Sequence, residues 1–68
     1  MENILQEIHA KFSKLTKAER KIANTVLDNP EQVVYMSISG LAEASGVGDT
    51  SVHRFCRTLG KKGYQDFK

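Results

Sequence analysis

Eight polar side chains between residues 49 and 62 hold most of this chain's chemical potential: Asp49, Thr50, Ser51, His53, Arg54, Arg57, Lys61 and Lys62. Thr50, His53 and Arg57 are three and four residues apart, a spacing that puts them in one row on a helix. A hydroxyl, an imidazole and a guanidinium in a row make a set of donors and acceptors suited to base edges and phosphate oxygens of double-stranded DNA. Ser51 and Arg54 lie beside that row. Arg54 could bind phosphate or fix the helix by pairing with an acid, and Arg57 could bond guanine or phosphate. Lys61 and Lys62 are expected on phosphate. Asp49, at the positive start of the helix, is expected to act mainly as a helix stabiliser.

The same residue types argue against an enzyme. Hydroxyl, thiol and imidazole groups fall in no nucleophile-base arrangement, and there is no glycine-rich phosphate loop and no ligand spacing for a metal or other cofactor. His9 with Glu7, and His53 with Asp49, are pairings too common to count. Cys56 stands alone, so no internal disulfide can form, and its place on an apolar stripe predicts a buried, inert thiol. No apolar run reaches membrane length, and no signal peptide is visible; a cytoplasmic chain without a membrane partner is the expectation.

Net charge is +2 over 68 residues, unevenly spread. Residues 1–37 contain five basic and five acidic side chains. Residues 51–68 carry Arg54, Arg57, Lys61, Lys62 and Lys68 against Asp66 alone. Positive charge thus gathers on and after the segment that carries the polar row, as a phosphate-binding surface requires.

The elements that must hold these groups are two short helices in Ser39–Leu59. The first is expected over Gly40–Ser45 with Ser39 as its cap. A turn follows at Gly46-Val47, where a left-handed backbone suits glycine. The second is expected over Asp49–Leu59, stopping at Gly60. Val52, Phe55, Cys56 and Leu59 form one apolar stripe on it, to be shared with Leu41 and Val47. Ala42 is small where the two helices cross. This is the pattern of a helix-turn-helix, whose second helix enters the major groove.

The rest of the chain supports that unit. Ile4, Leu5, Ile8 and Phe12 give a first helix from Glu2 to about Phe12, with Glu2 and Lys11 suited to its dipole, and Ser13–Leu15 a short connection. Thr16-Lys17-Ala18-Glu19 matches a capping box for a helix running to about Asp28, with Ile22, Ala23, Val26 and Leu27 inward and Leu15 as a staple. Asn29-Pro30 breaks and restarts the chain. A short helix to about Tyr35 is expected there, with Val33 and Val34 inward and Tyr35 and Met36 filling the core. Gly63, Tyr64 and Phe67 follow, with Tyr64 and Phe67 over the core's edge and a last helix just beginning. With 68 residues there is room for one domain with a small core. The fold class is all-α: a small bundle of about five helices containing a homeodomain-like helix-turn-helix.

The whole chain resembles the amino-terminal domain of the RpiR (MurR/RpiR-type) family of bacterial transcriptional regulators. The residues that carry the likeness are Leu15-Thr16, Glu19, Ile22-Ala23, Asn29-Pro30, Ile38-Ser39, Leu41-Ala42 and Gly46-Val47. The most specific run is Ser51-Val52-His53-Arg54-Phe55-Cys56, followed by Leu59-Gly60, Gly63-Tyr64 and Phe67-Lys68. The resemblance implies that residues 1–68 are an amino-terminal DNA-binding domain. It further implies a carboxy-terminal sugar isomerase (SIS) domain outside this chain that binds a phosphosugar effector. Repression or activation of genes for sugar or amino-sugar catabolism is implied with it, and so is action as a homodimer or higher oligomer. The sequence departs from the family at Gly48, where a serine often caps the second helix, and at His53, where an aliphatic residue is common. The competing function is a helical protein-interaction or oligomerisation module, with the Ile4-Leu5-Ile8-Phe12 stripe as its contact.

Overall fold

Six α-helices and one 3-10 turn make up residues 2–68, the part of the chain that the computed structural model describes. Glu2 is described by its backbone alone, so the dipole role expected of its carboxylate lies outside the described residues. No strand occurs among the described residues. The helices are α1 (Glu2–Lys11), α2 (Lys17–Asp28), α3 (Pro30–Val33), α4 (Ile38–Ser45), α5 (Asp49–Thr58) and α6 (Tyr64–Phe67). The count is one above the expected five, because α6 closes as a helix of its own.

Local chemistry sets most boundaries. Thr16 is extended, and its hydroxyl accepts from the Glu19 N–H at 3.2 Å. The Glu19 carboxylate accepts from the Thr16 N–H at 2.9 Å, completing the capping box. α4 starts two residues earlier than the sequence suggested. Its cap is Ser37, whose Oγ accepts from the Gly40 N–H at 3.0 Å, and not Ser39. Ser37 has the extended backbone a cap needs, while Ser39 lies inside the first turn. Gly46 (φ 72°) and Gly60 (φ 82°) adopt the left-handed conformation. At each, two N–H groups turn back to the closing carbonyls: Gly46 to Glu43 and Val47 to Ala42, then Gly60 to Arg57 and Lys61 to Cys56. α1 gives way at Phe12 to a 3-10 turn over Phe12–Lys14, where a plain connection was expected. Arg20 holds that turn through the carbonyls of Phe12 and Ser13.

α2, α4 and α5 pack on one another around the core. Ile22, Ala23, Val26, Leu41, Val52, Phe55 and Cys56 have no measurable exposure, and Ala42 stays at 2% where the helices meet. α1 adds Ile4 and Ile8, both buried, with Leu5 and Phe12 packed alongside. The apolar stripe of α1 therefore packs largely against its own chain, with Leu5 and Phe12 half-buried, which shrinks the contact surface the interaction-module reading relied on. α6 lids the other side: Phe67 meets Phe55 edge-on at 5.7 Å. The Tyr64 hydroxyl lies 2.7 Å from the Met36 carbonyl and 3.1 Å from that of Val33.

The region after Pro30 departs most from expectation. α3 ends at Val33, and Asn29 makes no side-chain cap. Val33 is fully buried, but Val34 is 41% and Tyr35 88% exposed, so neither fills the core. Val34 and Tyr35 lie past the end of α3, where the chain has already turned away from the core that Val33 enters. That turn is closed by Tyr35 N–H to Gln32 and Met36 N–H to Val33 bonds.

Candidate nucleic-acid interface

α5 divides cleanly by face. Val52, Phe55, Cys56 and Leu59 are buried; Asp49, Thr50, His53, Arg54 and Arg57 are exposed, and Ser51 is half-buried at the border. The eight residues from Thr50 to Arg57 make about two turns, roughly 10 Å, so the polar row fits the length of one groove crossing.

The structure brings Ser51, His53, Arg54 and Arg57 together along an open groove of about 680 Å³. Thr58 at the end of α5 and Thr16, Ala18 and Glu19 around the start of α2 complete its lining. Thr50 is exposed on the first turn of α5 but does not line this groove, and neither do Asp49, Lys61 or Lys62. A Cβ built on Gly63 would come within 3.9 Å of His53 Cε1, so the imidazole lies beside the turn that carries Lys61 and Lys62. That turn is braced where the Lys62 N–H donates to Asp66 Oδ2 at 2.9 Å. The Lys62 side chain is exposed and Lys61 half-buried.

Two charges behave differently from a simple tally. Asp49 Oδ2 accepts from the Ser39 hydroxyl at 2.8 Å. Asp49 thereby ties α5 to α4 across the turn, in addition to sitting at its own helix start. The Lys68 ammonium stands 4.9 Å from the centre of the Tyr64 ring and 3.4 Å from the Met36 carbonyl. It is directed to the Met36 carbonyl, which leaves Arg54, Arg57, Lys61 and Lys62 as the other cations on and just after α5.

Sequence reasoning found Glu19 as a capping residue but missed its second role. Only 6% exposed, its Oε2 accepts from the Thr58 hydroxyl at 2.8 Å, joining the first turn of α2 to the last of α5. Burial alone pushes this carboxyl's pKa up. The Thr16 N–H, the hydroxyls of Thr58 and Thr16 and the charge of Arg54 outweigh burial and hold it below the ordinary 4.5. The spacing along α5 gives no signal for this, because Thr58 is exposed and meets Glu19 only where α2 and α5 cross. Cys56 is fully buried, and burial pushes its thiol up to about 11, which suits an inert core residue. Among the described residues no cluster of three or more His, Cys, Asp or Glu could hold a metal ion, and no helix is long and apolar enough to cross a membrane.

With this geometry in view, the likenesses to known proteins are specific. The model of the helix-turn-helix domain of the rpiR family matches residues 2–68. The HTH-type transcriptional regulator HexR of Pseudomonas aeruginosa is 44% identical over 68 residues, all of this chain and 24% of its own length. HexR of Escherichia coli is 36% identical over 66 residues, 97% of this chain and 23% of its own length. The chain thus spans about a quarter of the length of the curated relatives it matches. The crystal structure of the N-terminal domain of ybbH from Bacillus subtilis, assigned as a transcriptional regulator, superimposes with a TM-score of 0.90. It shares 31% sequence identity over 94% of this chain and 78% of that one.

Proposed function

The chain belongs to the rpiR family of helix-turn-helix domains, a DNA-binding domain of transcriptional regulators, and we propose that α5 is the helix it lays in the major groove. The observation that carries this reading is the division of α5: an apolar face sealed in the core and an outer face of Thr50, His53, Arg54 and Arg57. Thr50, His53 and Arg57 would face bases. Arg54, Lys61 and Lys62 would hold phosphates, with Ser51 at the groove's border and Asp49 bracing the helix start. The work is recognition by geometry and charge, without catalysis.

At the scale of the whole regulator, we propose control of sugar or amino-sugar catabolism genes in response to a phosphosugar. The resemblance to the RpiR family supports this. So does the length of the HexR relatives, three quarters of which lies outside the matched segment and leaves room for an effector domain. Action as a homodimer belongs to the same proposal.

The test is selection of binding sites from a random DNA pool with the 68-residue chain, then titration of the winner at two salt concentrations. An enriched palindrome whose affinity falls steeply with salt is expected, its half-sites about one helical turn apart if two copies bind together. Absence of binding at low salt and high protein concentration would overturn the reading.

A further inference from the structure

We propose that Glu19 is a positioning residue for DNA recognition: through Thr58 and Arg54 it sets the pose and the effective charge of α5. The inference rests on the DNA-binding reading of α5 and adds a residue, on another helix, on which the selectivity of that binding depends.

Three observations carry it. A capping box needs only one carboxylate oxygen, and Glu19 Oε1 fills that role on the Thr16 N–H. The other oxygen takes the hydroxyl of Thr58, 39 residues on, in the last turn of α5. A hydroxyl on a buried carboxylate is a charge-assisted bond, stronger and shorter than a neutral one, and it fixes where that end of α5 lies. The Ser39–Asp49 bond anchors the other end to α4. α5 is thus pinned at both ends by side chains of other helices. Finally, Glu19 lines the same groove as Arg54 and Arg57, and the charge of Arg54 acts on its carboxylate. Opposite charges lining one groove partly cancel there, so the carboxylate lowers the positive potential that an approaching phosphate meets.

Pose and charge make different marks on binding. Affinity for arbitrary DNA depends almost wholly on charge. Affinity for a selected site also needs the base-facing row held in register. Losing the Thr58 hydroxyl should therefore lower specific binding more than non-specific binding. Losing the Glu19 charge should raise non-specific binding. Either way the ratio of specific to non-specific affinity falls.

The experiment measures that ratio for the unaltered chain, Thr58→Val, Thr58→Ser and Glu19→Gln. The ligands are the site selected from a random pool and a scrambled duplex, and circular dichroism checks that each protein is folded. Thr58→Val should cut the ratio by about tenfold, the equivalent of one charge-assisted hydrogen bond. Thr58→Ser, which keeps the hydroxyl, should recover most of it. Glu19→Gln should cut the ratio while tightening the scrambled complex, and it serves as the deciding variant if Thr58→Val does not fold. A purely structural role would weaken both complexes in parallel, and that result overturns the proposal. So does a ratio kept within about twofold, or a Thr58→Ser protein as impaired as Thr58→Val. If the unaltered chain binds neither duplex, the DNA-binding reading fails first; discrimination that survives in every variant sinks this proposal alone.

Discussion

Buried between two helices, the Glu19 carboxylate is a charge that the fold needs ionised. Its folded-state pKa lies below the ordinary 4.5, so as pH falls the unfolded chain takes up its proton first. The stability it contributes is complete above the ordinary value and is lost as pH drops through the folded one. Denaturant midpoints measured across that acid window should fall for the unaltered protein, and Glu19→Gln should flatten the fall; a constant offset between the two would contradict the assignment. Arg57 is the other residue with a sharp expectation. It is exposed in the middle of the polar face and lines the groove. Arg57→Ala should cost about 1–3 kcal/mol on the selected site if it forks onto guanine. An equal loss on every duplex, with a shallower salt dependence, would assign it to phosphate. The candidate residues of α5 were legible because helical periodicity separates wet from dry positions. Thr58 was not, because its partner is brought near only by the crossing of α2 and α5, which spacing along one helix does not reveal.

Among the elements, the turn between α4 and α5 is the most tightly specified. Gly46 has φ 72° and no atom within 4 Å of where a Cβ would sit, so a substitution there is opposed by backbone strain alone. Gly46→Ala should lower stability by about 1–2 kcal/mol, read from denaturant melts. A neutral result would mean the turn relaxes without its glycine. The same local logic made the Thr16–Glu19 cap and the Gly60 stop readable in advance. It failed around α3 because Val34 and Tyr35 look like core by composition, whereas the helix stops at Val33 and the two residues after it fall on the outward turn. It failed by two residues at α4 because Ser37 and Ser39 are equally good caps by type. Only the fold shows that the hydroxyl of Ser39 is engaged by Asp49.

For the molecule as a whole, the decisive quantity is how many cations face one way. Lys68 turns toward Met36, which leaves Arg54, Arg57, Lys61 and Lys62 on the α5 side. Four neutralised phosphates correspond to a slope of about −3 to −4 in log affinity against log salt for one domain. Fluorescence anisotropy titrations at several ionic strengths measure it, and a slope near zero would exclude this surface as the DNA contact. With extents of 25 × 23 × 22 Å, one copy spans little more than a single half-site, so a longer selected site should load two. Cys56 gives the same body a built-in clock. It is the chain's single thiol, fully enclosed and with its acidity suppressed to about 11, on the inner face of the very helix that carries the polar row. A thiol-reactive dye can reach it only in the moments when α5 swings off the core. The labelling rate therefore counts those excursions, and saturating DNA should slow it in proportion to how firmly the duplex holds α5 shut.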